Sequence, residues 1–189
     1  MVSVQQSSQR NRRSDAITNE LKVRDAAQAV FARLGSVMTM DDVAREAGVS
    51  KGTVYAAFGS RKHLIDAMAV QFLDRATRKY IEALEAPSAW DAMVEIVLNP
   101  TMGVASTAGD AMNPDRGDDE VTRAYRRTSD ALSALIEKGK REGSISSNVT
   151  VNHVETLIRG LFLALRPYSP HFVELAREYG MIIMKGIRA

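Results

Sequence analysis

Thr39-Met40-Asp41-Asp42-Val43-Ala44-Arg45-Glu46-Ala47-Gly48-Val49-Ser50-Lys51-Gly52-Thr53-Val54-Tyr55-Ala56-Ala57-Phe58 is the stretch that decides the fold. Thr39 offers a hydroxyl N-cap, and Asp41 and Asp42 suit the positive end of the helix that follows. Met40, Val43, Ala44 and Ala47 form that helix's buried stripe, and Gly48 ends it with the positive φ that a sharp turn needs. Ser50 caps a second short helix, Lys51–Phe58, with Val54 and Phe58 inward and Gly59 as its stop. Two short helices meeting at a steep angle across a glycine-containing turn make a helix-turn-helix. Ala44 has to be small because the second helix crosses over it, while Val43, Ala47, Val49 and Val54 plug the angle. The outer face of the second helix carries Lys51, Thr53 and Ala56, and its N-terminus aims backbone N–H groups outward, where a phosphate can sit. An αα-corner that only packs is the competing reading. Such a corner has no need to gather Lys51, Thr53, Tyr55 and Arg61 around one groove-sized face.

Outward from this stretch the chain reads as helical. Ile17, Leu21, Val23, Ala27, Val30, Phe31 and Leu34 recur at helical spacing, with Gly35 as a C-terminal stop. Ser60 caps a long helix whose i, i+4 series is Leu64, Met68, Phe72, Ala76, Tyr80 and Leu84, ended by Pro87. Ser88 caps a helix through Trp90, Met93, Val94 and Val97 that breaks at Asn99-Pro100. Residues 101–118 read as a loop with room for one short helix, and 119–141 as helix again. Gly143 marks a turn, and two last helices are expected over roughly 148–166 and 170–188. No strand alternation or internal repeat occurs. The expected class is all-α: a flexible basic arm (1–13), a three-helix helix-turn-helix domain (14–65) and a second helical domain (66–189), for which the family resemblance given below implies ligand binding and dimerisation.

The 189 residues, 45% hydrophobic and 25% charged, suit one soluble domain of average size or two small ones. With no cysteine, disulfide scaffolds, Cys-ligated zinc, iron–sulfur clusters and thiol catalysis are excluded. The formal charge of +2 conceals an asymmetry. Residues 1–65 hold ten basic and six acidic side chains, a net of +4, whereas 66–189 hold fifteen and seventeen, a net of −2. A basic front on a mildly acidic body points to a module that faces nucleic acid. The chain has no apolar run long enough to span a bilayer and no apolar N-terminal segment, so a cytoplasmic protein without membrane contact is expected.

Residues of about 15–65 resemble the DNA-binding domain of TetR-type transcriptional regulators. The resemblance runs through Ala26-Ala27, Phe31, Leu34-Gly35, Thr39–Ala44, Ala47–Tyr55, Phe58–Arg61 and Leu64. It implies a regulator that binds a pseudo-palindromic operator as a homodimer, usually a repressor released by a small-molecule effector. Carried over by position, Ser50, Lys51 and Gly52 open the recognition helix and Thr53 makes a base or phosphate contact. Tyr55 reaches a phosphate, and Arg61 does so where the family usually has lysine. Thr39 caps beside the DNA backbone. Arg10, Arg12 and Arg13 of the arm are suited to the adjacent minor groove. The sequence departs from the pattern at Ser36, where an aromatic is common, and at Ala56 and Ala57, where aromatic residues or histidine are common. Ala56 can touch a thymine methyl but reads no donor–acceptor pattern, which leaves base readout to Lys51, Thr53 and the arm.

Beyond the helix-turn-helix the signals are weaker. Trp90, Met93, Met102 and Met112 fall around the irregular middle and are candidate walls of an effector cavity, although methionine at helical spacing is more often plain core, the favoured reading for any single one. Tyr125, Arg159, Phe162 and Tyr168 could add polar or aromatic groups to it. In a homodimer of this plan the last two helices of each subunit form a four-helix bundle. The side chains expected in that interface are Val154, Leu157, Ile158, Leu161, Leu165, Phe172, Tyr179 and Ile183. His63, His153 and His171 lack ligand spacing, and Asp115–Glu120 lacks the alternating oxygens of a calcium loop, so no metal is expected. No phosphate-binding glycine loop or nucleophile elbow occurs, and neither a cofactor nor catalytic residues are expected. Two other classes stay open: a small helical enzyme whose front domain only packs, and a non-specific architectural DNA binder.

Overall fold

A computed structural model describes residues 19–31, 33–34, 37–99, 119–165 and 171–189. The helices among them are α1 (19–31), α2 (Met40–Ala47), α3 (Lys51–Phe58), α4 (Arg61–Leu84), α5 (Ala89–Leu98), α6 (Asp119–Arg141), α7 (Val151–Ala164) and α8 (Phe172–Ile187). The chain is all-α, and the described residues include one isolated antiparallel bridge, Ile145 to Arg188. Two compact units divide it, Met1–Met68 and Ala69–Ala189, with the boundary inside α4. The stop expected at Gly35, the departure at Ser36 and the loop expected over 101–118 lie outside the described residues.

In the first unit local chemistry sets the geometry of the helix pair. Thr39 Oγ1 accepts from the Asp42 N–H (3.2 Å) while the Asp42 carboxylate accepts from the Thr39 N–H (3.0 Å), a reciprocal capping box. Gly48 ends α2 in the left-handed region (φ 65°, ψ 31°), and the next amide, Val49, donates back to Ala44 O at 3.0 Å. The core gathers Val23, Ala27, Val30 and Phe31 of α1, Met40, Val43 and Ala44 of α2, Val54 and Phe58 of α3 and Leu64 of α4. Val43 and Val54 are wholly buried, and Ala47 and Val49 pack partly buried beside them. These are the plugs that hold α2 and α3 at their angle.

The second unit is an assembly of longer helices. α5 lies against α6 and α8, and α7 against the same two. Met93, Ile96, Leu132, Leu135, Ile136, Ile145, Val154, Met184 and Ile187 share its core. One turn of α6 closes the α4–α5 corner. Lys138 Nζ donates to Leu84 O (3.0 Å) and to Ala86 O, satisfying carbonyls at the end of α4. One turn later Glu142 accepts from the Ala89 N–H at 2.8 Å, at the start of α5. Nearby, a Cβ on Gly139 would lie 2.5 Å from Ile145 Cδ1, so only glycine permits this approach.

Two expectations need correction. The buried apolar positions of α4 are Leu64, Ala69, Leu73, Ala76 and Ala83, with Met68, Phe72, Tyr80 and Leu84 only partly covered. A strict i+4 step overshoots the helical repeat by roughly 40°, so over the five steps from Leu64 to Leu84 the series walks off the buried face. The last two helices are also shorter than expected. α7 starts only after Thr150, whose hydroxyl accepts from the His153 N–H at 3.3 Å, and α8 starts at Phe172.

Candidate nucleic-acid interface

α3 buries Val54 and Phe58 and turns Lys51, Gly52, Tyr55, Ala56 and Ala57 to the surface, with Thr53 half-covered. Ser50 caps it: its Oγ accepts from the Thr53 N–H (3.1 Å) and pairs with Thr53 Oγ1 (2.9 Å). Both hydroxyls therefore hold the first turn as well as edging the surface. Tyr55 is 42% exposed and stands on the same outward face.

Gly52 is a glycine that the protein's own packing does not require. A Cβ there would meet nothing nearer than Ser50 Oγ at 3.6 Å, an ordinary contact. Inside a helix glycine costs about 0.5–1 kcal/mol relative to alanine. A space kept open at that cost on an exposed face allows another backbone to come close.

Lys51 occupies the first turn of α3, which contains no acidic residue. A cation there opposes the helix dipole. Its charge is met from α2 instead, with Asp41 Oδ2 at 2.8 Å from Lys51 Nζ. The bond and charge of Asp41 hold the ammonium above the usual lysine range. Thr39 and Arg61 converge on the segment ahead of α2, because Arg61 Nε donates to Met38 O at 2.9 Å. The Thr39 hydroxyl and amide hold the Asp42 carboxyl below its usual range, aided by Arg45.

The structure thus brings Ser50, Lys51, Gly52, Thr53, Tyr55 and Ala56 onto one helix and ties Arg61 to the residue beside Thr39. Arg10, Arg12 and Arg13 lie outside the described residues. Sequence reasoning missed two features: the grip of Asp41 on Lys51, ten residues away, and the anchoring of Met38 by Arg61. Neither pair has a spacing that any local pattern would flag.

In the second unit the expected effector residues separate. Tyr125 OH donates to Glu155 at 2.6 Å. Burial, and then this bond, push the Tyr125 hydroxyl up, while the Arg159 charge pulls it down. Burial and the Glu155 charge push Tyr80 up to about 12. Tyr125 and Arg159 thus belong to one polar cluster with Tyr80, read from the sequence only as part of the α4 stripe, and with Glu155, which the sequence reading did not name. Trp90 stands elsewhere, stacked under the Arg188 guanidinium at 4.9 Å. Met93 is corrected to core, only 1% exposed among Leu135, Ile136 and Met184. Met102, Met112, Tyr168 and the Phe162 side chain lie outside what the structure describes. A cleft of about 160 Å³ opens between Phe72, Arg75 and Lys79 of α4 and Ile96 of α5, and none of the expected effector residues lines it.

The expected dimer residues divide in the same way. Val154 and Phe172 are buried within the chain's own cores and are corrected to structural positions. Leu157 and Tyr179 are well exposed, and Ile158, Leu161, Leu165 and Ile183 partly so. Val173 and Ile182 are exposed too and went unread, because an amphipathic helix between two partners has two apolar faces and spacing does not say which is inward. No group of three or more His, Asp or Glu side chains able to hold a metal occurs among the described residues. No described helix is long and apolar enough to cross a membrane.

Comparison with known proteins agrees with this geometry. Residues 23–68 match the family model for bacterial regulatory proteins of the tetR family. The HTH-type transcriptional regulator YfiR of Bacillus subtilis is 28% identical over 137 residues, covering 66% of each chain. The TetR regulator SCO0520 of Streptomyces coelicolor superposes with a TM-score of 0.61 at 24% identity, over 89% of this chain and 98% of that one. A TetR-family regulator of Agrobacterium tumefaciens reaches a TM-score of 0.69 at 16% identity, over 92% and 100%. FadR of Bacillus subtilis, solved with stearoyl-CoA, shares the fold at a TM-score of 0.59 and 16% identity, over 88% and 98%. The sequence match to the tetR family of bacterial regulatory proteins thus covers the helix-turn-helix, residues 23–68, and the chain shares the fold of TetR-family regulators.

Proposed function

We propose that this regulator is a repressor that binds a pseudo-palindromic operator as a homodimer and leaves it when a small-molecule effector binds. The observation that carries the reading is the outward face of α3, where Lys51, Gly52, Tyr55 and Ala56 share one exposed surface. In the proposed complex α3 lies in the major groove. Gly52 admits the sugar–phosphate backbone, Lys51 and Tyr55 bind phosphates, and Thr39 sits beside the backbone. Arg61 has five donors, of which Nε is held on Met38 O, and its fork geometry allows a phosphate contact as well. Such contacts fix register, whereas Thr53 and the arm arginines would choose sequence, with Ala56 adding only a thymine-methyl contact; Lys51, expected from the sequence to read bases, is assigned to phosphate because it already holds an anionic oxygen of Asp41 at the start of α3.

Leu157, Tyr179 and Ile182, exposed on two helices that pack together, support a homodimer built on α7 and α8. A two-fold axis there would space the recognition helices ~34–36 Å apart, one turn of DNA. The cluster of Tyr80, Tyr125, Glu155 and Arg159 is the proposed polar wall of the effector site. The stearoyl-CoA bound by FadR illustrates that this fold accommodates a ligand. An effector releases DNA only if it binds more tightly to a conformation with misplaced recognition helices. A regulator that acts on bacterial DNA works in the cytoplasm.

Footprinting on the DNA that flanks the protein's own coding region tests the reading. A protected inverted repeat that survives an excess of random duplex is expected. Equal competition by random duplex would leave a non-specific binder, and absence of any protection would remove DNA binding at this locus.

A further inference from the structure

The Asp41–Lys51 pair joins α2 to α3 on the exposed face of the helix-turn-helix, in addition to the place that Asp41 holds in the first turn of α2. α2 is capped by Thr39 and Asp42, so the Asp41 carboxylate is not the cap. Each partner is 54% exposed, so the pair lies on the surface of the helix-turn-helix and seals nothing beneath it. Its location carries the meaning. Lys51 is in the first turn of α3, where the helix N-terminus already favours an anion, and Asp41 supplies one at 2.8 Å. A carboxylate held against a helix-N-terminal ammonium offers what a DNA phosphate would offer: negative charge and an acceptor oxygen at charge-assisted hydrogen-bond distance.

We infer that Asp41 is an affinity-setting residue, a resident carboxylate that occupies Lys51 in the free protein and must be displaced before Lys51 can hold a phosphate. The inference rests on the reading of α3 as the helix that meets DNA. Lys51 then exchanges one anion for another on binding, so its contact contributes less than that of a lysine drawn from water. Asp41 also remains at the interface, where it repels the backbone. Both effects act on phosphate contacts, so they bear on every DNA sequence, including random DNA, whose binding is essentially all electrostatic. The charge near Lys51 is otherwise settled locally, because the Asp42 carboxylate is engaged by Thr39 and by Arg45 at 3.2 Å.

The test uses the full-length protein, a short random-sequence duplex and fluorescence anisotropy at low salt. The variants are Asp41→Asn, Lys51→Gln and the double substitution. Asp41→Ser serves as a second neutral replacement, and thermal unfolding verifies that each variant is folded. Lys51→Gln should weaken binding. Asp41→Asn and Asp41→Ser should each tighten it by about 2- to 5-fold, the scale of an exposed ion pair released. In the Lys51→Gln background most of that gain should vanish. The inference is overturned if the Asp41 variants bind as the parent does, or if their gain is equally large without Lys51, which would make Asp41 only a general repulsive charge. Should Lys51→Gln leave affinity untouched, the reading of the α3 first turn as a DNA contact fails, and the inference fails with it.

Discussion

The two units of this protein are held together by different kinds of information. In the first unit the decisive contacts are short in sequence: Thr39 with Asp42, Val49 with Ala44, Ser50 with Thr53. In the second they are long. Lys138 closes a corner more than fifty residues earlier in the chain, Thr77 pairs with Thr128, and Tyr125 reaches Glu155. A helix-turn-helix has to present a fixed face to a fixed partner, and caps and a glycine turn specify such a face locally. The second unit instead draws its arrangement from tertiary packing between helices far apart in the chain.

Breaking the long-range side should give the largest effect. Leu135 is wholly buried in the core of the second unit, so Leu135→Ala should cost about 2–5 kcal/mol in denaturant unfolding. A loss under about 1 kcal/mol would mean that this core is not packed as described.

The local side predicts smaller costs. Thr39→Ala removes the N-cap of α2 and should lower stability by about 1 kcal/mol. It should also change the response to acid. The Asp42 carboxyl is held below its usual range by the Thr39 hydroxyl and amide. Its contribution to stability is therefore present above the ordinary carboxylate pKa and lost as pH falls through the lowered folded value. In Thr39→Ala that acid-side loss should shrink, as read from unfolding curves at descending pH.

Alkali probes the second unit. Tyr80 is pushed up to about 12 in the folded chain, so between about pH 10 and about 12 the unfolded chain ionises this phenol while the folded chain does not. Stability should fall across that window, and Tyr80→Phe should remove its part of the fall. Ultraviolet titration of the folded protein should show one phenol ionising near 12 that is missing in the variant.

A smaller effect is expected in the salt dependence of DNA binding. Arg61→Ala should flatten the salt dependence of DNA affinity by about 0.9 in log–log slope, as expected when one fewer phosphate is neutralised. Because Arg61 also holds Met38, a weakened complex with an unchanged slope would assign it to positioning alone.

How much of this was legible in the sequence follows the same division. Thr39, Gly48, Ser50, Val54 and Gly59 lie where composition and spacing put them, because each acts within a few residues of itself. Ala44, expected to be small, is covered within the core of the first unit. The outward set on α3 was readable for the same reason: Val54 and Phe58 fix which way the helix turns. The faces of α7 and α8 were not readable. Val154 and Leu157 are equally apolar and three residues apart, yet one is 3% exposed and the other 46%. Which of them looks inward is decided by the helices packed against α7, not by α7 itself. The Asp41–Lys51 pair escaped for a related reason, since it joins two helices across a turn and leaves no periodic trace.

Gly52→Ala separates an α3 outer face shaped for DNA from one shaped for the fold. A methyl group at that position meets only Ser50 Oγ at 3.6 Å. The variant should be as stable as the parent or more so, by up to about 1 kcal/mol, while its DNA affinity should fall by about tenfold or more. Unchanged affinity in a variant that is equally stable would contradict a face shaped for DNA.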